Sequence, residues 1–118
     1  MEIEQRRSGD VLILRVSETR LDAMVALEFK ESVKPLAGAG PPRVVLDLGC
    51  VAFLDSSGLG ALVGLKKYLA PERDLELAAL QPQLSRVLAL TRLDSVFVIH
   101  PQPPVPPSPG APPLAAAS

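Results

Sequence analysis

Apolar positions along this chain switch between a strand-like and a helix-like period, and the switches mark its elements. Residues 2–7 read as a short edge strand and Ser8-Gly9-Asp10 as a hairpin turn. Val11-Leu12-Ile13-Leu14-Arg15-Val16 is a nearly continuous apolar run, too short for a buried helix, and fits a central strand. After Leu21, Asp22 stands where a helix N-cap belongs. Val25, Phe29, Val33 and Leu36 then recur at helical spacing, with Glu28, Lys30, Glu31 and Lys34 mostly on the other face. Pro35 falls near the end of that helix, and Gly38-Ala39-Gly40-Pro41-Pro42 breaks it.

The alternation then repeats. Arg43 to Leu48 reads as a strand, and Val51-Ala52-Phe53-Leu54 as a short link. From about Ser57 a helix is striped by Leu59, Leu62, Val63, Leu65 and Leu69, and Pro71 stops it. Leu75 to Leu80 is a third strong strand candidate. Pro82 suits the first turn of a helix whose buried stripe is Leu84, Val87 and Leu88. Ser95 to Ile99 supplies a last strand. The order β-β-α-β-α-β-α-β predicts an α/β fold: a mixed, mostly parallel sheet of about five strands with three main helices and an antiparallel first hairpin.

Composition divides the chain after His100. Eight of the 13 prolines lie between Pro101 and Pro113, and no charged residue follows. Residues 1–100 are thus expected to form one domain, and 101–118 an extended, disordered proline-rich tail, without core side chains or ladder donors. Such a tail is either a ligand for a proline-recognising domain or simply solvated. Net charge is -1, with 12 basic and 13 acidic residues, so nothing draws the whole chain to nucleic acid or anionic lipid. The start, Met1 to Arg7, has no apolar segment behind its arginines. No stretch approaches the roughly 20 apolar residues that span a bilayer. A cytoplasmic protein without membrane insertion is expected. Cys50 and His100 are the sole residues of their types, so neither a disulfide within the chain nor a Cys/His metal cluster is available. No cofactor is expected.

The segment Phe53-Leu54-Asp55-Ser56-Ser57-Gly58-Leu59-Gly60 carries the most information. Two hydroxyls and a carboxylate stand where a loop meets a helix, beside amides that lack helical partners. Two readings are open. In one, Asp55 and Ser56 cap the helix, while Gly58, Gly60, Ala61 and Gly64 let it approach its neighbours. In the other, the glycines leave room for an anion at the free amides, and a serine here tolerates a phosphate. Enzymatic signatures fail. Leu54 stands where a nucleophile elbow needs glycine, and Gly60 is followed by Ala61-Leu62 rather than the Lys-Ser/Thr of a phosphate-binding loop.

Leu54-Asp55-Ser56-Ser57-Gly58-Leu59-Gly60 closely resembles the signature of STAS domains, especially bacterial anti-sigma-factor antagonists. Leu21-Asp22, Val44-Val45-Leu46-Asp47-Leu48, Leu80-Gln81-Pro82 and Thr91-Arg92-Leu93 are similar to further family segments, so the resemblance covers residues 3–99. It implies a non-enzymatic protein that binds an anti-sigma factor when unphosphorylated, releasing the sigma factor. That partner is itself a serine kinase, which phosphorylates the antagonist, and a PP2C-type phosphatase restores it. By position, the resemblance makes Ser56 the phosphoacceptor, with Asp22, Asp55, Ser57, Gly58 and Leu59 in the partner-binding surface around it. Its alternative is an unswitched interaction subunit of a larger assembly, such as a stressosome or a lipid-import ABC transporter. Three positions depart from the family pattern: Thr19 and Arg20 replace a frequent Gly-Glu, and Arg92 a frequent glycine. Arg20 reverses a charge at the partner surface, and Arg92 is expected to meet the negative end of the third helix favourably.

Overall fold

The chain is described by a computed structural model over residues 1–104. Its first hairpin pairs β1 (Ile3–Ser8) antiparallel with β2 (Val11–Val16), turning at Gly9 with φ +60°. The left-handed conformation explains glycine at that position. Next come β3 (Arg20–Leu21), α1 (Ala26–Gly38), β4 (Arg43–Asp47), β5 (Phe53–Leu54) and α2 (Ser56–Leu69). Then β6 (Asp74–Ala78), α3 (Pro82–Leu90), a 3₁₀ turn at Leu93–Ser95 and β7 (Ile99–His100) close the domain. The five-stranded sheet has the order β1-β2-β4-β6-β7, and every pair after the first hairpin is parallel. The expected α/β class, mixed sheet and three helices are all present.

Strand alternation sorts the sheet into two faces. Leu12, Leu14, Val16, Val44, Leu46, Leu75 and Leu77 point to one side, where they pack with Phe29 and Val33 of α1, Leu62 and Leu65 of α2, and Leu84 and Leu88 of α3. Val11, Ile13, Val45 and Ala78 form a second buried cluster on the other side, to which no helix among the described residues contributes.

Two local expectations need correction. Asp22 does not cap α1, which starts at Ala26 without a side-chain cap. Instead its carbonyl accepts from Val25 and Ala26, and its Oδ1 accepts from the Met24 N–H at 3.1 Å, so the turn precedes the helix. Pro35 lies inside α1, which runs on to Gly38, where the glycine-proline segment was expected to break it. Pro35 and Glu31 are both exposed, so the Glu31 carbonyl that loses its donor is on the solvent side. The last strand is not Ser95–Ile99. Ser95 ends the 3₁₀ turn, and sheet pairing begins only where the Leu77 N–H donates to the Val98 carbonyl. Within that apolar run Phe97 alone is buried in the core, while Val96 and Val98 are exposed.

A further pair of short strands was not anticipated. β3 and β5 join in parallel, Arg20 opposite Phe53 and Leu21 opposite Leu54, as a two-stranded unit apart from the main sheet. This unit sets the positions of the two segments that follow it: the turn at 22–25 and the start of α2. Of the proline-rich segment, Pro101, Gln102 and Pro104 form bends, and the expected tail beyond them lies outside the described residues.

Candidate functional site

Asp55 organises the start of α2. It has extended backbone angles, φ -104° and ψ -172°, as an N-cap residue should. Its Oδ1 accepts from the Ser57 N–H at 2.9 Å and the Gly58 N–H at 3.0 Å, and its carbonyl accepts from Leu59 at 2.9 Å. Its second carboxylate oxygen reaches across to β3's loop, accepting from the Ala23 N–H at 3.1 Å. One side chain thus caps the helix and ties it to the turn holding Asp22. Asp22 in turn accepts from Arg20 Nε at 3.2 Å through Oδ2. The sequence-derived residues Asp22, Asp55, Ser56, Ser57 and Gly58 are therefore brought together.

This arrangement decides between parts of the two readings of the loop. The amides of Ser57 and Gly58 are already occupied by Asp55, so the expected room for an anion at those donors is not there. Gly58 is buried, and its missing side chain serves packing: a Cβ there would stand 2.2 Å from the Leu21 carbonyl oxygen and 2.6 Å from Leu54 Cδ1. Gly60 differs, since a Cβ there would meet nothing within 4 Å. Gly64 lies under Lys30 of α1: a Cβ there would stand 2.9 Å from Lys30 Nζ, the movable tip of a flexible side chain. Leu59 leans partly into the core. Ser56, at the first helical position, is exposed.

Several apolar side chains that the sequence reading did not single out are exposed on the segments that lead into or are tied to Asp55. Phe53, three residues before Ser56, is 40% exposed, and the Arg20 guanidinium sits 4.2 Å from its ring centroid. Met24, on the turn tied to Asp55, is 89% exposed, and Leu27 one turn further is 71% exposed. The alternation of Phe53 with inward Leu54 was the available signal for the first of these.

A family model described as "STAS domain" matches residues 2–105. The chain belongs to the STAS-domain family. A STAS-domain containing protein of Pseudomonas aeruginosa is 29% identical to it over 92 residues, covering 77% of this chain and 89% of that one. An anti-sigma factor antagonist from Mycobacterium paratuberculosis is similar in structure, with a TM-score of 0.75 and 28% identity over 86% of each chain. A candidate anti-sigma factor antagonist from Thermotoga maritima gives a TM-score of 0.73 at 28% identity, over 83% of this chain and 85% of that one.

Two departures of this STAS domain from the family pattern have distinct physical consequences. Thr19 is not among the described non-glycine residues with positive φ, which are Ala79 and Arg92. Threonine is therefore unstrained there, and its carbonyl accepts from the Ala52 and Phe53 N–H groups. Arg92 does need glycine's freedom. It follows α3 with φ 61° and ψ 17°, in the left-handed region where a helix commonly ends on glycine. The expected favourable dipole contact at Arg92 is thus opposed by backbone strain. Cys50 is half-buried and accepts from the Arg15 guanidinium at 3.4 Å, and His100 Nε2 lies 2.6 Å from Glu76 Oε1. Both belong to the main sheet's end and edge, not to the Ser56 loop. No helix among the described residues is long and apolar enough to cross a membrane.

Proposed function

We propose that this STAS domain is an anti-sigma factor antagonist switched by phosphorylation of Ser56. The unphosphorylated surface around Ser56 docks on an anti-sigma factor that is a serine kinase, which frees the sigma factor. The observation that carries the reading is the exposure of Ser56 beside Asp55, on a helix start braced by three hydrogen bonds to that carboxylate and flanked by exposed Phe53 and Met24. A kinase needs its acceptor hydroxyl accessible and held still, and a docking partner needs apolar surface around it.

In the transfer, Ser56 Oγ attacks the γ-phosphorus of nucleotide held by the partner. The new O–P bond forms as the bond to the β–γ bridging oxygen breaks, nucleoside diphosphate leaves, and the serine proton passes to a base of the partner. This chain supplies the hydroxyl and its platform, and the partner supplies nucleotide and metal. A PP2C-type phosphatase returns the serine to its free form by hydrolysis. With the nearby amides held by Asp55, the added charge of roughly -1.5 to -2 projects outward beside a like charge. It then falls on the docked surface, which is what disrupts the complex.

An unswitched subunit of a larger assembly is the second reading. It is favoured by Asp55 and Gly58, whose roles in the fold suffice to account for them. It leaves the accessible Ser56 without a role. Reaction with a serine-kinase anti-sigma factor and ATP, followed by tandem mass spectrometry, separates the two. A single phosphate on Ser56 is expected; modification confined to Ser57, or none, overturns the switch.

A further inference from the structure

The sheet face that carries no helix among the described residues holds a cleft of its own. Cross-strand register places Glu4, Arg15, Asp47, Ala78 and His100 in one row on that face, and Arg6, Ile13, Val45 and Glu76 in the next. Ile13, Val45 and Ala78 are buried there although no helix covers them. Over Ile13 lies a cleft of about 590 Å³ walled by Glu4, Arg6, Arg15, Asp47 and Pro103. Pro103 is the informative wall. It lies only three residues past His100, which sits in β7 at the far edge of the sheet, yet it borders residues of β1, β2 and β4. The chain leaving β7 therefore crosses the helix-free face as far as the wall of the cleft.

We propose that the chain's own proline-rich segment, residues 105–118, docks in this cleft as a strap across the helix-free face. Reach is ample. At about 3.1 Å per residue an extended proline-rich stretch of that length spans about 40 Å, whereas five strands are about 19 Å across. The chemistry is complementary. Prolines offer carbonyl acceptors and apolar rings but no N–H donors, and the segment has no charge. The cleft offers an apolar floor at Ile13 and guanidinium donors at Arg6 and Arg15, neither in a salt bridge among the described residues. Such a strap departs from the expectation of a free tail. The idea is independent of any event at Ser56.

The test uses the full chain with Cys50→Ser, ¹⁵N-labelled, and a nitroxide attached at Ser108→Cys. Docking is expected to bleach most of the amide intensity at Arg6, Ile13, Arg15 and Asp47 relative to the reduced label, while Lys30 and Lys67 on the helical side keep theirs. Arg6→Ala with Arg15→Ala in the same chain is expected to restore the lost intensity. A weak effect spread around Pro101 on both faces overturns the proposal. So does bleaching that appears equally when nitroxide-bearing unlabelled chain is mixed with ¹⁵N chain lacking the nitroxide, because the occupant is then a second copy. Bleaching that persists in the double arginine variant overturns the donor chemistry on which the strap rests.

Discussion

Gly58 and Gly60 stand two residues apart in one motif, yet alanine at the two positions is expected to act in opposite directions. At Gly58 the new methyl would lie 2.2 Å from the Leu21 carbonyl oxygen and 2.6 Å from Leu54 Cδ1. The nearer atom is backbone, held in the β3–β5 pair, so it cannot rotate aside. Overpacking of this kind typically costs about 1–3 kcal/mol, and a backbone clash belongs at or beyond the upper end. Alanine's better helix propensity returns about 1 kcal/mol, leaving a net loss of about 2 kcal/mol. At Gly60 the methyl meets nothing within 4 Å, so the propensity gain of about 0.8–1.0 kcal/mol stands alone. For a domain of this size 1 kcal/mol moves Tm by about 4–8 °C. Gly58→Ala should therefore melt about 8 °C or more below the parent, and Gly60→Ala about 4–8 °C above it. Circular dichroism during heating, with urea unfolding to obtain free energies, measures both. If the variants shift together, or Gly58→Ala is as stable as the parent, the close approach of α2 to β3 is wrong. Gly60 shares its helix face with Ser56 one turn earlier. Since the fold has no need of glycine there, a loss of partner binding in the stabilised Gly60→Ala variant would assign that face to the interface.

Asp55→Ala removes the N-cap acceptor and the link to Ala23, and should cost about 1–2 kcal/mol in urea unfolding. Arg92→Gly relieves a left-handed arginine and should raise stability by up to about 1 kcal/mol; an unchanged or lower Tm would show that the strain is absorbed elsewhere. The Glu76 carboxyl is held below its ordinary 4.5, first by hydrogen bonds from Arg43 at 2.9 and 3.0 Å, with burial opposing and His100 assisting. Because the folded form releases this proton more readily than the unfolded chain, its contribution is complete above pH 4.5 and fades as pH falls through the depressed value. Thermal melts from about pH 6 to about pH 3 should show a shallower acid loss for Glu76→Gln than for the parent.

The elements legible in the sequence were those whose burial imposes a period. Apolar runs at Val11–Val16 and Arg43–Leu48 revealed strands buried on both faces, and the spacing of Phe29 and Val33 revealed α1's inner face. Two-residue strands carry no period, so β3 and β5 were invisible, although they position the whole site. Val96 to Ile99 looked like a core strand because an apolar run does not tell which side chains point inward, and here Phe97 alone does. The motif marked Asp55 as a cap, but not its bond to Ala23, which depends on the loops meeting in space. Likewise only the fold distinguishes Gly58, forced by a neighbouring carbonyl, from Gly60, which faces open space.

Ser56 as a charge switch on a docking surface is tested most directly by calorimetric titration of a serine-kinase anti-sigma factor with the full chain, unphosphorylated and phosphorylated at Ser56, with Ser56→Ala alongside. Leaving an unpaired charge in a desolvated contact costs about 2–5 kcal/mol, which weakens Kd by about thirtyfold to several thousandfold. The unphosphorylated chain and Ser56→Ala should bind alike, and the phosphorylated chain should be weaker by that factor, with unchanged circular dichroism. Equal affinity of a folded, phosphorylated chain would contradict the switch and leave an unswitched assembly subunit as the better description.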